Sequence, residues 1–232
     1  TIQEEGARDV VMTMVGERGS EDPEAIRAYV DGLAKLYEGN NIEAERLLSE
    51  AVEHDPEFAL AYTYLGEALA NSGRTDDARE ALSRASSRGS GLSRADSLFI
   101  TAREAMASGD IDRAIEAFEL LVQLLPNNLS AVYELAQAYE LKGDWEGAIR
   151  NLTRIVELDP KFVTALFALG RVNIKKGSGQ EALDFLYRAL SLNTLLGNEE
   201  GRATVLNAIG LANYYLDRYD EAVRYYEEAG MI

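Results

Sequence analysis

Apolar residues in this chain return at three- and four-residue intervals, in short stretches bounded by glycine, proline or a polar break. In AVYELAQAYELKGDWEGAIRNLTRIVELDP, Ala131 to Pro160, the positions Val132, Leu135, Tyr139, Leu152 and Ile155 fall at helical spacing on either side of Gly143. This pattern predicts two amphipathic helices joined by a tight glycine turn and stopped by proline, which cannot continue the second helix.

The same unit recurs. Small residues at Gly32, Gly66, Ala102, Ala136, Gly170 and Gly210 are each followed twelve positions later by alanine, at Ala44, Ala78, Ala114, Ala148, Ala182 and Ala222. Between them lie Gly39, Gly73, Gly109, Gly143 and Gly177, with Asp217 in the sixth unit. A constant offset across a turn residue means two helices of fixed length, and small residues let their backbones approach closely. Six helical hairpins are therefore expected. The phrases EHDPEFALAYTYLG, from Glu53, and ELDPKFVTALFALG, from Glu157, mark the joints between hairpins: proline stops one helix, phenylalanine covers the joint and Leu-Gly seats the next.

LGEAL, GRTDDA, YELAQAY, GDWEGA and ELDP, at a spacing near 34 residues, resemble the tetratricopeptide repeat. The resemblance implies an all-α, right-handed superhelix of six hairpins over residues 23–232, with repeats at about 25–58, 59–94, 95–128, 129–162, 163–202 and 203–232. In this family the first helix of each hairpin lines a concave groove. Residues 1–22 are expected to form an amphipathic helix or linker, with Val10, Val11, Met14 and Val15 as its apolar face. The extra residues at Ser86–Ser97 and Asn193–Arg202 are expected to lengthen two turns between hairpins. EAIRAYVDGL and LSRADSLFITAREAMASGD also resemble repeat regions of bacterial regulators that follow a kinase, cyclase or transcription-regulator module, which implies a piece of a larger regulatory or assembly protein.

Composition narrows the function. With 23 basic and 40 acidic residues the formal charge is −17, which opposes a polyanionic nucleic acid. No apolar run reaches the roughly 20 residues needed to span a bilayer, so no membrane insertion is expected. The chain has no cysteine and a single histidine, His54, without a second metal-ligating or nucleophilic partner at useful spacing. Gly89-Ser-Gly91 and Gly177-Ser-Gly179 lack the strand and third glycine of a phosphate loop and are read as turns. Asn128-Leu-Ser and Asn151-Leu-Thr match the glycosylation acceptor pattern, which is too short to indicate secretion. No catalytic group, metal or cofactor is expected, and the protein is expected not to be an enzyme. The compartment stays open, with a slight preference for the cytoplasm over the periplasm.

If the first helices line the groove, the residues three before and one after each small site point into it. Those three before are Tyr29, Thr63, Phe99, Tyr133, Phe167 and Asn207. Those one after include Leu33, Arg103, Gln137 and Arg171, with Glu67 and Leu211 completing the series. Aromatics followed one turn later by arginine suggest a groove for a protein or peptide ligand, held by ring contacts and guanidinium hydrogen bonds. The competing reading is that rings and arginines stack on each other within the protein. A carboxylate clamp finds no lysine and asparagine at its opening places, and Asn207 is one rung rather than a ladder of asparagines. The expected function is a protein-interaction scaffold; the alternative is homo-oligomer assembly through the side bearing Leu206, Tyr214, Tyr226 and Met231.

Overall fold

A computed structural model describes residues 19–88 and 92–232; the helix expected within residues 1–22 falls almost wholly outside them. The described residues form twelve α-helices and no strand. Contacts divide the chain into two compact units, Thr1–Leu125 and Pro126–Ile232.

The first unit contains α1 (Pro23–Tyr37), α2 (Asn41–His54), α3 (Ala59–Asn71), α4 (Thr75–Ser87), α5 (Arg94–Ser108) and α6 (Ile111–Leu124). They pair as α1/α2, α3/α4 and α5/α6, with α2 packed on α3 and α4 on α5. The second unit repeats this plan with α7 (Leu129–Lys142), α8 (Trp145–Leu158), α9 (Val163–Lys176), α10 (Gly179–Leu196), α11 (Glu199–Tyr215) and α12 (Tyr219–Gly230). There α8 packs on α9, α10 on α11, and the first helices α9 and α11 touch. Each unit is a stack of three hairpins.

One residue pair builds every hairpin turn. Gly39, Gly73, Gly109, Gly143 and Gly177 hold φ between +78 and +89, and Asp217 holds φ 60 as the only non-glycine with positive φ among the described residues. The residue after each donates its backbone N–H to the carbonyl five positions back, as in Asn40 to Lys35 and Asp144 to Tyr139, both 2.9 Å. That bond closes one helix, and the same residue then flanks the start of the next. Asn40, Asp110 and Asp144 also accept a backbone N–H of the new helix with their side chains.

The small sites are contact points between paired helices. A Cβ at Gly170 would stand 2.5 Å from Leu186, at Gly66 2.7 Å from Leu82 and at Gly32 2.8 Å from Leu48. Of the side chains sixteen residues after the small sites, Leu48, Leu82, Phe118, Leu152 and Leu186 are buried, and Tyr226 of the sixth hairpin lies against Gly210 with 39% of its surface exposed. So are the six alanines at the offset of twelve. At the repeated joint, Asp55 and Asp159 accept the N–H of Glu57 and Lys161 at 2.9 Å, while their carbonyls accept from Phe58 and Phe162 at 3.1 Å.

The expectation for Asn193–Arg202 needs correcting. No long turn forms there: α10 runs on through Thr194 to Leu196 and reaches 18 residues, and α11 begins at Glu199 with 17. Thr194 stands where other units carry proline, so nothing blocks the helix, and Thr194 Oγ1 donates to the Leu190 carbonyl. Gly197, at φ +66, ends it instead, and Asn198 caps α11 by accepting the Gly201 N–H. The Ser86–Ser97 insertion does separate α4, ending at Ser87, from α5, beginning at Arg94.

Candidate functional site

The ten residues read as groove-facing separate into two groups. In the first unit Tyr29, Leu33, Thr63 and Phe99 are buried core residues. The Tyr29 ring lies 4.8 Å from Phe58 and 5.9 Å from Tyr64, and Tyr64 lies 5.7 Å from Phe99, so the rings form one internal string. Thr63 Oγ1 donates to the Ala59 carbonyl at 3.0 Å. Arg103 lies over the Phe99 ring at 5.7 Å and pairs with Glu67 from the neighbouring hairpin, leaving 13% of its side chain exposed. On this unit the aromatic and arginine positions pack against each other.

Burial has a chemical consequence at Tyr29. Its hydroxyl is sealed from water without a hydrogen-bond partner. Desolvation, reinforced by Tyr37 and Asp96, pushes its pKa far above the ordinary phenol range.

The second unit differs. Tyr133 and Gln137 on α7 and Phe167 on α9 are half-buried, and Asn207 and Leu211 on α11 are exposed. Arg171 keeps 43% of its side chain open and donates to Glu140 at 2.8 Å. Lys175, one turn further along α9, donates to the other Glu140 oxygen at 2.7 Å. Glu140 is nearly enclosed, with 9% of its side chain exposed. One carboxylate therefore faces two cations. Arg171 Nε is buried without an acceptor, so part of the guanidinium's hydrogen-bonding capacity is unused. Burial raises the Tyr133 pKa, against the lowering influence of Arg171 and of its hydrogen bond with Gln137.

The structure thus brings Tyr133, Gln137 and Arg171 together with two residues that the sequence reading missed, Glu140 and Lys175. Both were within reach of the helical same-face rule: Lys175 is four residues after Arg171, and Glu140 is four after Ala136. Among the described residues, no group of three or more His, Cys, Asp or Glu is arranged to hold a metal ion, and no helix is long and apolar enough to cross a membrane. Asn128, in one glycosylation-like triplet, caps α7 by accepting the Ala131 N–H at 3.0 Å.

Paired helices joined by left-handed turn residues and stacked through small-residue contacts define a helical-repeat protein. The chain belongs to the tetratricopeptide repeat family: one model of that family matches residues 35–98 and 105–149, a second 129–172 and a third 162–229. No curated protein sequence matches it. Among solved structures it is similar to PilW, a widely conserved type IV pilus biogenesis factor, with TM-score 0.66 and 16% identity over 89% of this chain and 92% of that one. It is also similar to a chain of the APC/C hetero-tetramer Cut9–Hcn1, with TM-score 0.64 and 23% identity over 97% of this chain and 42% of that one. MamA AMB-1 matches with TM-score 0.54 and 23% identity, over 73% of this chain and 95% of that one. The chain spans less than half the length of the Cut9–Hcn1 chain, and at these identities the likeness is one of fold. Tetratricopeptide repeats generally mediate protein–protein interaction and are typically non-enzymatic scaffolds.

Proposed function

We propose that the protein is a non-enzymatic interaction scaffold that receives a peptide segment of a partner protein on the α7, α9 and α11 face of its second unit. The observation that carries this reading is the contrast between corresponding positions: Tyr29, Leu33, Thr63 and Phe99 are buried, whereas Phe167, Arg171, Asn207 and Leu211 keep accessible surface. Phe167 and Leu211 supply apolar contact, and Asn207 offers both a donor and an acceptor. Arg171 supplies charge-assisted hydrogen bonds to a carboxylate or carbonyl group. Two cations against one carboxylate leave a local positive excess in a chain of charge −17, which favours an acidic peptide.

The test is selection of peptides from a randomised display library on the 232-residue chain, followed by fluorescence anisotropy of the selected sequences. Selected peptides should be enriched in Asp and Glu beside apolar residues. The Phe167→Ala/Arg171→Ala/Leu211→Ala variant should bind them at least about tenfold more weakly, as expected when interface anchors are removed, with unchanged helical circular dichroism. Equal binding by the variant overturns the assignment of this face.

A further inference from the structure

One residue after the small site, the first helices of hairpins two to five carry Glu67, Arg103, Gln137 and Arg171. Glutamate therefore precedes arginine in the first unit, and glutamine precedes arginine in the second. The two pairs are otherwise in register, each arginine standing four residues after a phenylalanine, Phe99 or Phe167. Their surroundings differ. Arg103 pairs with Glu67 and keeps 13% of its side chain exposed, whereas Arg171 keeps 43%. Glutamine has the shape of glutamate without its charge, so it leaves a guanidinium at its own level without a counter-ion.

Gln137 hydrogen-bonds instead with Tyr133, whose hydroxyl also lies within electrostatic reach of Arg171. Arg171 turns to Glu140, one turn further along α7, and Lys175 takes the other Glu140 oxygen. Neither residue has a counterpart in the first unit: Ala70 and Met106 hold the places of Glu140, and Asn71 and Ala107 those of Lys175. Both Glu140 oxygens are thus engaged, and one positive charge remains unmatched between two half-open cations. We propose that Gln137 sets the selectivity of this face for an aspartate or glutamate side chain of the bound peptide. Being uncharged, it keeps Arg171 open to the ligand carboxylate, where Glu67 closes Arg103. The inference rests on the peptide-binding reading of the α7, α9 and α11 face and adds the residue that discriminates between ligands. Gln137 acts through Arg171 and is a positioning residue, so its effect belongs to the distinction between charged and neutral peptides.

The test takes the acidic peptides selected on the 232-residue chain, and versions with asparagine and glutamine in place of aspartate and glutamate, and measures both by fluorescence anisotropy at low salt. The parent should prefer the charged version at least about tenfold. Gln137→Glu should abolish that preference by weakening the charged peptide, while the neutral version stays within about twofold of its parent affinity. Gln137→Met, of similar length and uncharged, should keep the preference. A preference that survives Gln137→Glu, or is lost in Gln137→Met, overturns the role of Gln137 and leaves the peptide face standing. Urea unfolding supplies a readout without ligand. Arg171→Ala should lower the midpoint by more in the Gln137→Glu background than in the parent, because only there does it strip a carboxylate at the same level of its partner. Equal shifts in the two backgrounds also overturn the proposal. Unequal shifts in a protein that shows no preference for charged peptides would mean that Arg171 is open but takes no acidic ligand, and the peptide-face reading would fall together with the selectivity.

Discussion

Tyr29 shows how far a residue's letter is from its role. An aromatic at a first-helix position reads as a ligand contact, yet Tyr29 packs against Phe58 and Tyr64 with its hydroxyl unpartnered. A buried phenol is held neutral while the unfolded tyrosine ionises near its ordinary pKa of 10.0. Above that pH the unfolded chain loses a proton that the folded chain keeps, so the raised pKa contributes destabilisation that grows with pH. Tyr29→Phe should therefore flatten the decline in stability between about pH 9 and pH 11, by about 1 kcal/mol at the upper end, measured as the difference between urea unfolding curves of the two proteins. At neutral pH the variant should be at least as stable as the parent, because it removes a buried polar group that nothing satisfies. Parallel pH profiles would place the hydroxyl in contact with water.

At the level of the hairpin, what mattered was legible. Glycine seven residues after each small site announced a left-handed turn residue, and five glycines with φ between +78 and +89 occupy those places. Asp217 was legible as a substitution in that series and keeps the same geometry at φ 60, with its side chain accepting the Tyr219 hydroxyl at 2.7 Å. A side chain at positive φ costs roughly 1 kcal/mol. Gly143→Ala should thus lower stability by about 1 kcal/mol and Asp217→Gly should raise it by a smaller amount, since the lost Tyr219 bond offsets part of the relief. Urea midpoints of the two variants check both signs. Less legible was the end of α10, where an insertion reads equally as a loop or as extra helix; the absence of proline at Thr194 and the cap at Gly197 and Asn198 decide for helix. The joint phrase was legible as local structure only. Phe58 is sealed and Phe162 half-buried, although both follow Asp-Pro-x.

For the whole molecule, charge is the dominant legible property. Local pairs such as Arg46 with Glu43 and Glu50, or Arg74 with Glu45 and Asp77, add short-range attraction in a chain that carries 17 excess negative charges, but they lie at the surface and are individually weak. Self-repulsion at longer range should prevail, so raising NaCl from about 0.01 M to about 0.1 M, which shortens the Debye length from about 30 Å to about 10 Å, should raise Tm by a few degrees. A fall in Tm would mean that the local pairs outweigh the repulsion. The two units carry the same hairpin plan, yet only the second leaves its aromatic and arginine positions open.

Taken alone, the sequence determined the hairpin and its repetition, because helix ends, turn geometry and close approach are each set by residues within one 34-residue period. It also determined the acidic character of the chain. Only the tertiary structure decided which first-helix side chains remain free. That choice depends on contacts between neighbouring hairpins: Tyr64 and Glu67 close over the positions of the first unit, while Glu140 gathers Arg171 and Lys175 on a face that stays partly open. Exposure is a property of what lies across from a helix, and no local pattern records that.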